Sequence, residues 1–282
     1  PPAPPTPRPR GPSASTGAAA VNVSVTGTVQ STPLVTSTIL QQWPLNFNNN
    51  DSTSVRDAGI AASTPSFNKL FLSNGTTVPA VPSYSTTYGM AFGATSNGDG
   101  SWGTAVGGPG GNLNRTYYTQ FTITGATGYT VRVDSFIVTS SFYFTNSNTK
   151  LAVVYSKTGF ASDSSDVTGG IGADGLSLPG TANGSFANPI LLVNETAGTT
   201  TNYRFALNGS SGVSLASGQT LTVRLYYSCG SSSAGRYAKI KNAIFKGLTS
   251  NSLPTTVTYL NANIESSTVK VVWNTTHEIN TA

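Results

Sequence analysis

Residues 129–144 read YTVRVDSFIVTSSFYF, and the stretch begins in strict alternation: Val131 and Val133 interleave with Thr130, Arg132 and Asp134. A period of two sends successive side chains to opposite faces of a pleated strand. The segment therefore predicts a half-buried β-strand in which Asp134 ends the solvent-facing row. Working outward, the same pattern returns in FTITG from Phe121, KLAVVYS from Lys150, NPILLV from Asn188, YRFAL from Tyr203, TLTVRLYYS from Thr220 and RYAKIKNAIFKG from Arg236. Between these runs lie Gly, Asn, Ser and Pro clusters, which stop strands and build turns. Many strands without strand–helix alternation predict an all-β sandwich, and the long return connections favour jelly-roll connectivity over a meander. The sandwich is expected over residues 21–248. One short helix is expected inside it, because Ser54-Val55-Arg56-Asp57 has capping-box spacing ahead of AGIAAS, with Pro65 as its stop.

Composition narrows the class. The chain has 282 residues, enough for a real core, yet only 9% of them are charged, well below the ~25% of an ordinary domain. Low charge with abundant Ser, Thr, Asn and Gly suits an extracellular β protein. The net charge of +5 comes from 15 basic and 10 acidic side chains spread thinly. That spread lacks the dense basic face that phosphate demands and argues against a nucleic-acid partner. The nearest basic cluster, Arg236-Tyr237-Ala238-Lys239-Ile240-Lys241, reads as a solvated strand face. No run of about 18 apolar residues occurs, so no helical membrane span is expected. The single cysteine, Cys229, excludes an internal disulfide and reads as a small buried residue at a strand end.

Both ends of the chain differ from the body. Residues 1–20, PPAPPTPRPRGPSASTGAAA, form a proline-rich lead that favours extended polyproline II and serves as a tether. Val21, Val23, Val25 and Val29 then open a period-two run that reads as a strand. Residues 249–282 close the chain with two alternating runs around a polar turn, a β-hairpin. Leu260, Ala262 and Ile264 share one face of its first strand with Thr258, and Val269, Val271 and Trp273 share one face of its second. An isolated hairpin is marginal in water, while burying these side chains is worth on the order of 8 to 15 kcal/mol before entropy is subtracted. The hairpin therefore calls for a partner. It can dock on the sandwich, pair with an edge of a neighbouring subunit, or stay frayed; strand addition to a neighbour would place Val21, Val23, Val25, Leu260, Ile264, Val269, Val271 and Trp273 at subunit contacts.

Motifs for chemistry are few. The only histidine is His277 in the tail, so the body holds no imidazole for a Ser-His-Asp triad or a histidine zinc site, and its carboxylates form no recognisable pair; no catalytic residue is expected. GGIGADGL from Gly169 matches a calcium-binding nonapeptide, but that motif needs stacked copies and no second copy follows. A looser structural calcium site drawing on Asp163, Asp166 and Asp174 is the one cofactor expectation, set against a reading in which each carboxylate caps local amides. Sugar rings are held by exposed aromatics on sandwich loops. Trp43, Tyr84 and Tyr88 lie in or beside loops but read mainly as core or loop anchors, leaving Trp102, Tyr117 and Tyr118 as the candidate polysaccharide-binding residues. Trp102 stands in a glycine-rich loop, residues 96–114.

The tail carries a resemblance. LPTTVTYLNANIESSTVKVVWNTTHEIN, through Leu253, Pro254, Leu260, Ala262, Val269, Val271, Trp273, Thr275, Glu278 and Asn280, resembles the start of the C-terminal fibronectin-like region of type IX secretion cargo proteins from Bacteroidota. Thr255 departs from the usual Val. The body, in TVRVDSFIVTSS and QTLTVRLYYSCG, is similar to jelly-roll modules of secreted proteins from that phylum. The resemblance implies export to the cell surface or medium and leaves activity open, since such modules serve as adhesins, matrix components and carbohydrate-binding attachments alike. The expectation is a non-enzymatic extracellular structural or adhesive protein, self-associating into a homopolymer by strand donation. The alternative is a carbohydrate-binding module.

Overall fold

The computed structural model of the chain describes residues 37–73, 83–95, 113, 115–144, 148–172, 174–178, 183–228, 234–251, 257–265 and 268–275. In chain order its strands begin with β1 (Thr38–Trp43), β2 (Ser66–Asn68), β3 (Phe71–Leu72), β4 (Tyr84–Ser85), β5 (Gly89–Gly93) and β6 (Tyr118–Thr124). The middle supplies β7 (Tyr129–Phe142), β8 (Lys150–Ser156), β9 (Ser165–Asp166), β10 (Gly170–Ile171), β11 (Ile190–Leu191) and β12 (Asn202–Ala206). Then come β13 (Val213–Leu215), β14 (Thr220–Ser228), β15 (Ala238–Asn251), β16 (Val257–Glu265) and β17 (Thr268–Thr275). The protein is all-β, and no helix occurs among the described residues.

The predicted strand of residues 129–144 becomes β7, the axis of the first sheet. It pairs along its length with β15, and the order across the sheet is β10-β12-β7-β15-β5-β3. Shorter strands complete the flanks: β13 beside β7, β1 beside β15, and β4 beside β5. The second sheet runs β11-β8-β14-β6-β2, with β9 on β8. Every strand pairing is antiparallel. From β5 to β8 the chain switches sheet at every strand, so each sheet is assembled from segments distant in sequence.

The two sheets meet over one apolar core. Trp43, Phe121, Phe136 and Phe245 form a closed ring of aromatic contacts, with centroid distances of 5.2 Å (Trp43–Phe121), 5.5 Å (Phe121–Phe136), 5.0 Å (Phe136–Phe245) and 5.8 Å (Trp43–Phe245). Phe121 belongs to the second sheet and the other three to the first, so this cluster bolts the layers together; tilted and edge contacts of this kind are worth about 0.5–1.5 kcal/mol each beyond area burial. Trp43 is fully buried here, as a core side chain, with its indole N–H donating to the Ser63 carbonyl at 3.0 Å. Phe92 and Tyr227 make a second bridge at 4.9 Å.

Two expectations are corrected. The Ser54–Asp57 segment forms turns rather than a helix. Arg56 N–H does reach the Ser52 carbonyl, but the next amide, Asp57 N–H, donates to the Leu40 carbonyl of β1. The Asp57 carboxylate accepts from Gly59 N–H and from the Thr249 hydroxyl, which fixes the segment to the sheet before a second turn can form. The basic run at Arg236–Lys241 is not a solvated face either: Lys239 is fully buried and Arg236 nearly so. Arg236 lies 3.9 Å from the Phe144 ring.

Residues 257–275 form the predicted hairpin as a separate two-stranded sheet. Its register sets Leu260 opposite Trp273, Ala262 opposite Val271 and Ile264 opposite Val269, so the apolar positions of both strands fall on one face. The preceding strand β15 runs on to Asn251, slightly past the predicted end of the body.

Candidate functional site

Three arrangements on the described residues bear on function: the hairpin, a cation–aromatic row on the second sheet, and a buried lysine beneath the loop of residues 194–201. On the hairpin, Ala262 is exposed and Val269 is 46% exposed, although both stand on its apolar face. Neither body sheet pairs with it, so both of its outer edges are without a strand neighbour among the described residues. The body's own edges are different. Most of them are β2, β3, β4, β9, β10, β11 and β13, strands of two or three residues, which is how sandwiches blunt an edge against pairing; β1, six residues long and paired only with β15, is the longer exception. The predicted donor residues Val21, Val23 and Val25 lie outside the described residues.

The outer face of the second sheet carries alternating rings and guanidinium groups. Arg224 lies between Tyr118 and Phe160, at 4.3 and 4.1 Å from the ring centres, and donates from Nε to Gln120 Oε1 at 2.8 Å. Tyr118 meets Tyr226 edge-on at 5.4 Å, Tyr226 meets Phe186 at 5.3 Å, and Arg115 covers Phe186 at 4.3 Å. Register explains the row: Tyr118 and Gln120 of β6 stand opposite Tyr226 and Arg224 of β14. Tyr118 was expected as a sugar platform. Its ring lies beneath the Arg224 guanidinium, and Tyr117, partly buried, packs against the core. Trp102 lies outside the described residues, as does Cys229.

Of the three candidate calcium ligands, Asp163 and Asp174 cap local turns, while Asp166 accepts from an amide 20 residues further along the chain. Asp163 accepts from the Ser156 hydroxyl at 2.5 Å, from the Thr158 hydroxyl, and from the Lys157 and Thr158 amides at 2.9 and 3.0 Å. Those donors, the Ser156 hydroxyl first, hold its carboxyl well below the usual carboxylate range. Asp166 accepts from Phe186 N–H and Asp174 from Leu176 N–H. Among the described residues no three carboxylate, histidine or cysteine side chains converge as a metal site.

Lys239 was missed by sequence reading as a site. Its Nζ donates to the Glu195 and Gly198 carbonyls, and the rings of Tyr88 and Tyr143 stand 5.1 and 5.7 Å away. Burial lowers its pKa to about 8, partly opposed by the Glu195 charge. The Glu195 carboxylate accepts in turn from Thr200 N–H at 2.7 Å and from the Thr200 and Thr201 hydroxyls. Desolvation works against its ionised form, but these bonds prevail and its pKa is lowered. One buried cation thus organises the whole loop. The sequence signals were the basic run that contains Lys239, read as solvated, and Tyr88, read as an anchor.

Compared with known proteins, the chain matches no family model, no curated protein and no solved structure. No helix of the described residues is long and apolar enough to cross a membrane.

Proposed function

We propose that the protein is a non-enzymatic extracellular structural subunit that assembles head to tail by strand addition at its C-terminal hairpin. One observation carries the reading: β16 and β17 form a two-stranded sheet of their own, with Ala262 and Val269 uncovered on the apolar face. Nine- and eight-residue strands with open edges expose a row of backbone donors and acceptors, and main-chain bonding to an incoming strand satisfies them. The incoming strand is the Val21–Val29 run of a second copy, whose alternation matches the pleat and whose proline-rich lead supplies reach. Donation of one end to the other end of the next copy is heterologous and leads to a filament unless the rotation closes.

The body suits this role as a rigid spacer. Its jelly-roll reading is supported by the strand order: β12-β7-β15-β5 in one sheet and β11-β8-β14-β6 in the other is the interleaving of an eight-stranded double Greek key. Placement at the cell surface rests on the low charge and on the tail's resemblance to type IX cargo.

The test is deletion. Chains lacking residues 1–30, or 252–282, are expected to sediment as monomers at concentrations where the full chain assembles. Assembly that survives both deletions contradicts the reading.

A further inference from the structure

The outer face of the first sheet holds two adjoining cavities of about 370 and 420 Å³. Ile171 and Arg204 line both, so the two form one groove across β10, β12 and β7. Each half falls in the ~300–1,000 Å³ range of small-molecule sites, and two contiguous halves suit an extended ligand rather than a single small one.

Arg204 is the unusual residue. Among the described residues every other arginine meets a carboxylate or a ring: Arg56 pairs with Asp51, Arg132 with Asp134, and Arg115, Arg224 and Arg236 lie over aromatic faces. Among the described residues Arg204 has the Ser135 hydroxyl, 3.3 Å from its Nε, as its one polar partner, and its side chain is exposed where the two cavities join. Its neighbours, neutral polar groups and one closed ion pair, are suited to hydroxyl-rich chemistry. Thr200 and Asn202 line one half, and Ser135 with the bidentate Arg132–Asp134 pair (2.7 and 3.1 Å) lines the other. Ile137 and Ile171 add an apolar surface of the kind that packs on a pyranose ring. The wall strand β10 lies flush on β12 because residue 170 is glycine; a Cβ there would stand 1.8 Å from the Arg204 carbonyl oxygen.

We infer that this groove binds an acidic polysaccharide, with the free guanidinium of Arg204 taking a uronate carboxylate and the flanking hydroxyl, amide and carboxylate groups taking sugar hydroxyls. A single fork-shaped cation matches one planar carboxylate per subsite. A phosphate polymer would demand several cations along the same track. The site lies on the sandwich and is independent of the hairpin, so it stands or falls separately from the assembly reading.

The experiment is affinity electrophoresis of the full chain through gels containing polygalacturonate, alginate, or fully methyl-esterified polygalacturonate, the last keeping the backbone while removing the charge. Retardation by at least one of the two polyuronates and none by the ester is expected. Arg204→Gln should weaken that retardation by about tenfold or more, and Arg204→Lys should fall between, with melting temperatures unchanged. Lys69→Gln, an equal charge change at an exposed position away from the groove, should have little effect. No retardation by either polyuronate, equal retardation by the ester, or an equal loss with Lys69→Gln overturns the inference.

Discussion

Lys239 shows how a residue's meaning depends on what folds over it. In the sequence it sits in a basic alternating run, and charge alone places it outward. In the fold, β15 lies between β7 and β5, and the loop of residues 194–201 crosses above, so the ammonium is desolvated and bonded to two carbonyls. Its pKa of about 8 lies below the 10.5 of a free lysine. Between those values the unfolded chain binds more protons than the folded one, so stability rises with pH across that window and the full cost of the buried charge is present below it. At about 1.4 kcal/mol per pH unit, wild type should gain about 3 kcal/mol relative to Lys239→Met from pH 8 to 10.5. Urea unfolding at intervals across this range reads the gain; tyrosine ionisation, common to both proteins, cancels in the difference. A flat difference would show that the ammonium is not strained by burial. The groove arginine was equally invisible in YRFAL, since nothing in a sequence says that an arginine has no acid beside it.

At the scale of elements, what was legible was what was long. The runs at Phe121, Tyr129, Lys150, Thr220 and Arg236 all become strands; alternation records one core-facing side in Tyr118–Thr124 and in the start of Tyr129–Phe142, whereas Lys150–Ser156 is buried throughout from Leu151 onward. Of the shorter elements, β12 keeps the alternation that YRFAL showed, but others carry no such record. All five residues of β5 are buried, which removes alternation, and β1 hides Gln41 in the interior by bonding it to Asp51 and Ser63. Bulges were illegible too. Between Lys241 and Ile244 the register of β15 against β7 slips by one residue, with Asn242 at φ 48°, and it slips back at Lys246/Gly247. The return requires close approach: a Cβ on residue 247 would lie 1.9 Å from the Arg132 carbonyl oxygen. Gly247→Ala should therefore lower unfolding stability by about 1–3 kcal/mol, the usual cost of overpacking, measured from the denaturant midpoint. An unchanged midpoint would mean the two bulged strands can separate freely. Removing one ring of the inter-sheet cluster should cost more. Phe136→Ala is expected to lose about 3–5 kcal/mol by the same measurement, and a loss below about 1 kcal/mol would deny the cluster its role.

For the whole molecule, the sequence disclosed the class, an all-β sandwich, and the hairpin at its end. It could not disclose the groove, which three strands build from residues near positions 135, 170 and 204 that only the topology brings together. The assembly account joins a sandwich whose edges are mostly strands of two or three residues to a terminal hairpin of two long strands with open edges, and it depends on that contrast. Electron microscopy of the purified full chain at high concentration and near-neutral pH, beside the chain ending at Asn251, tests it most directly. Regular filaments from the full chain and dispersed particles from the shortened one are the predicted result. Dispersed monomers from both, or filaments from both, would contradict assembly through the hairpin.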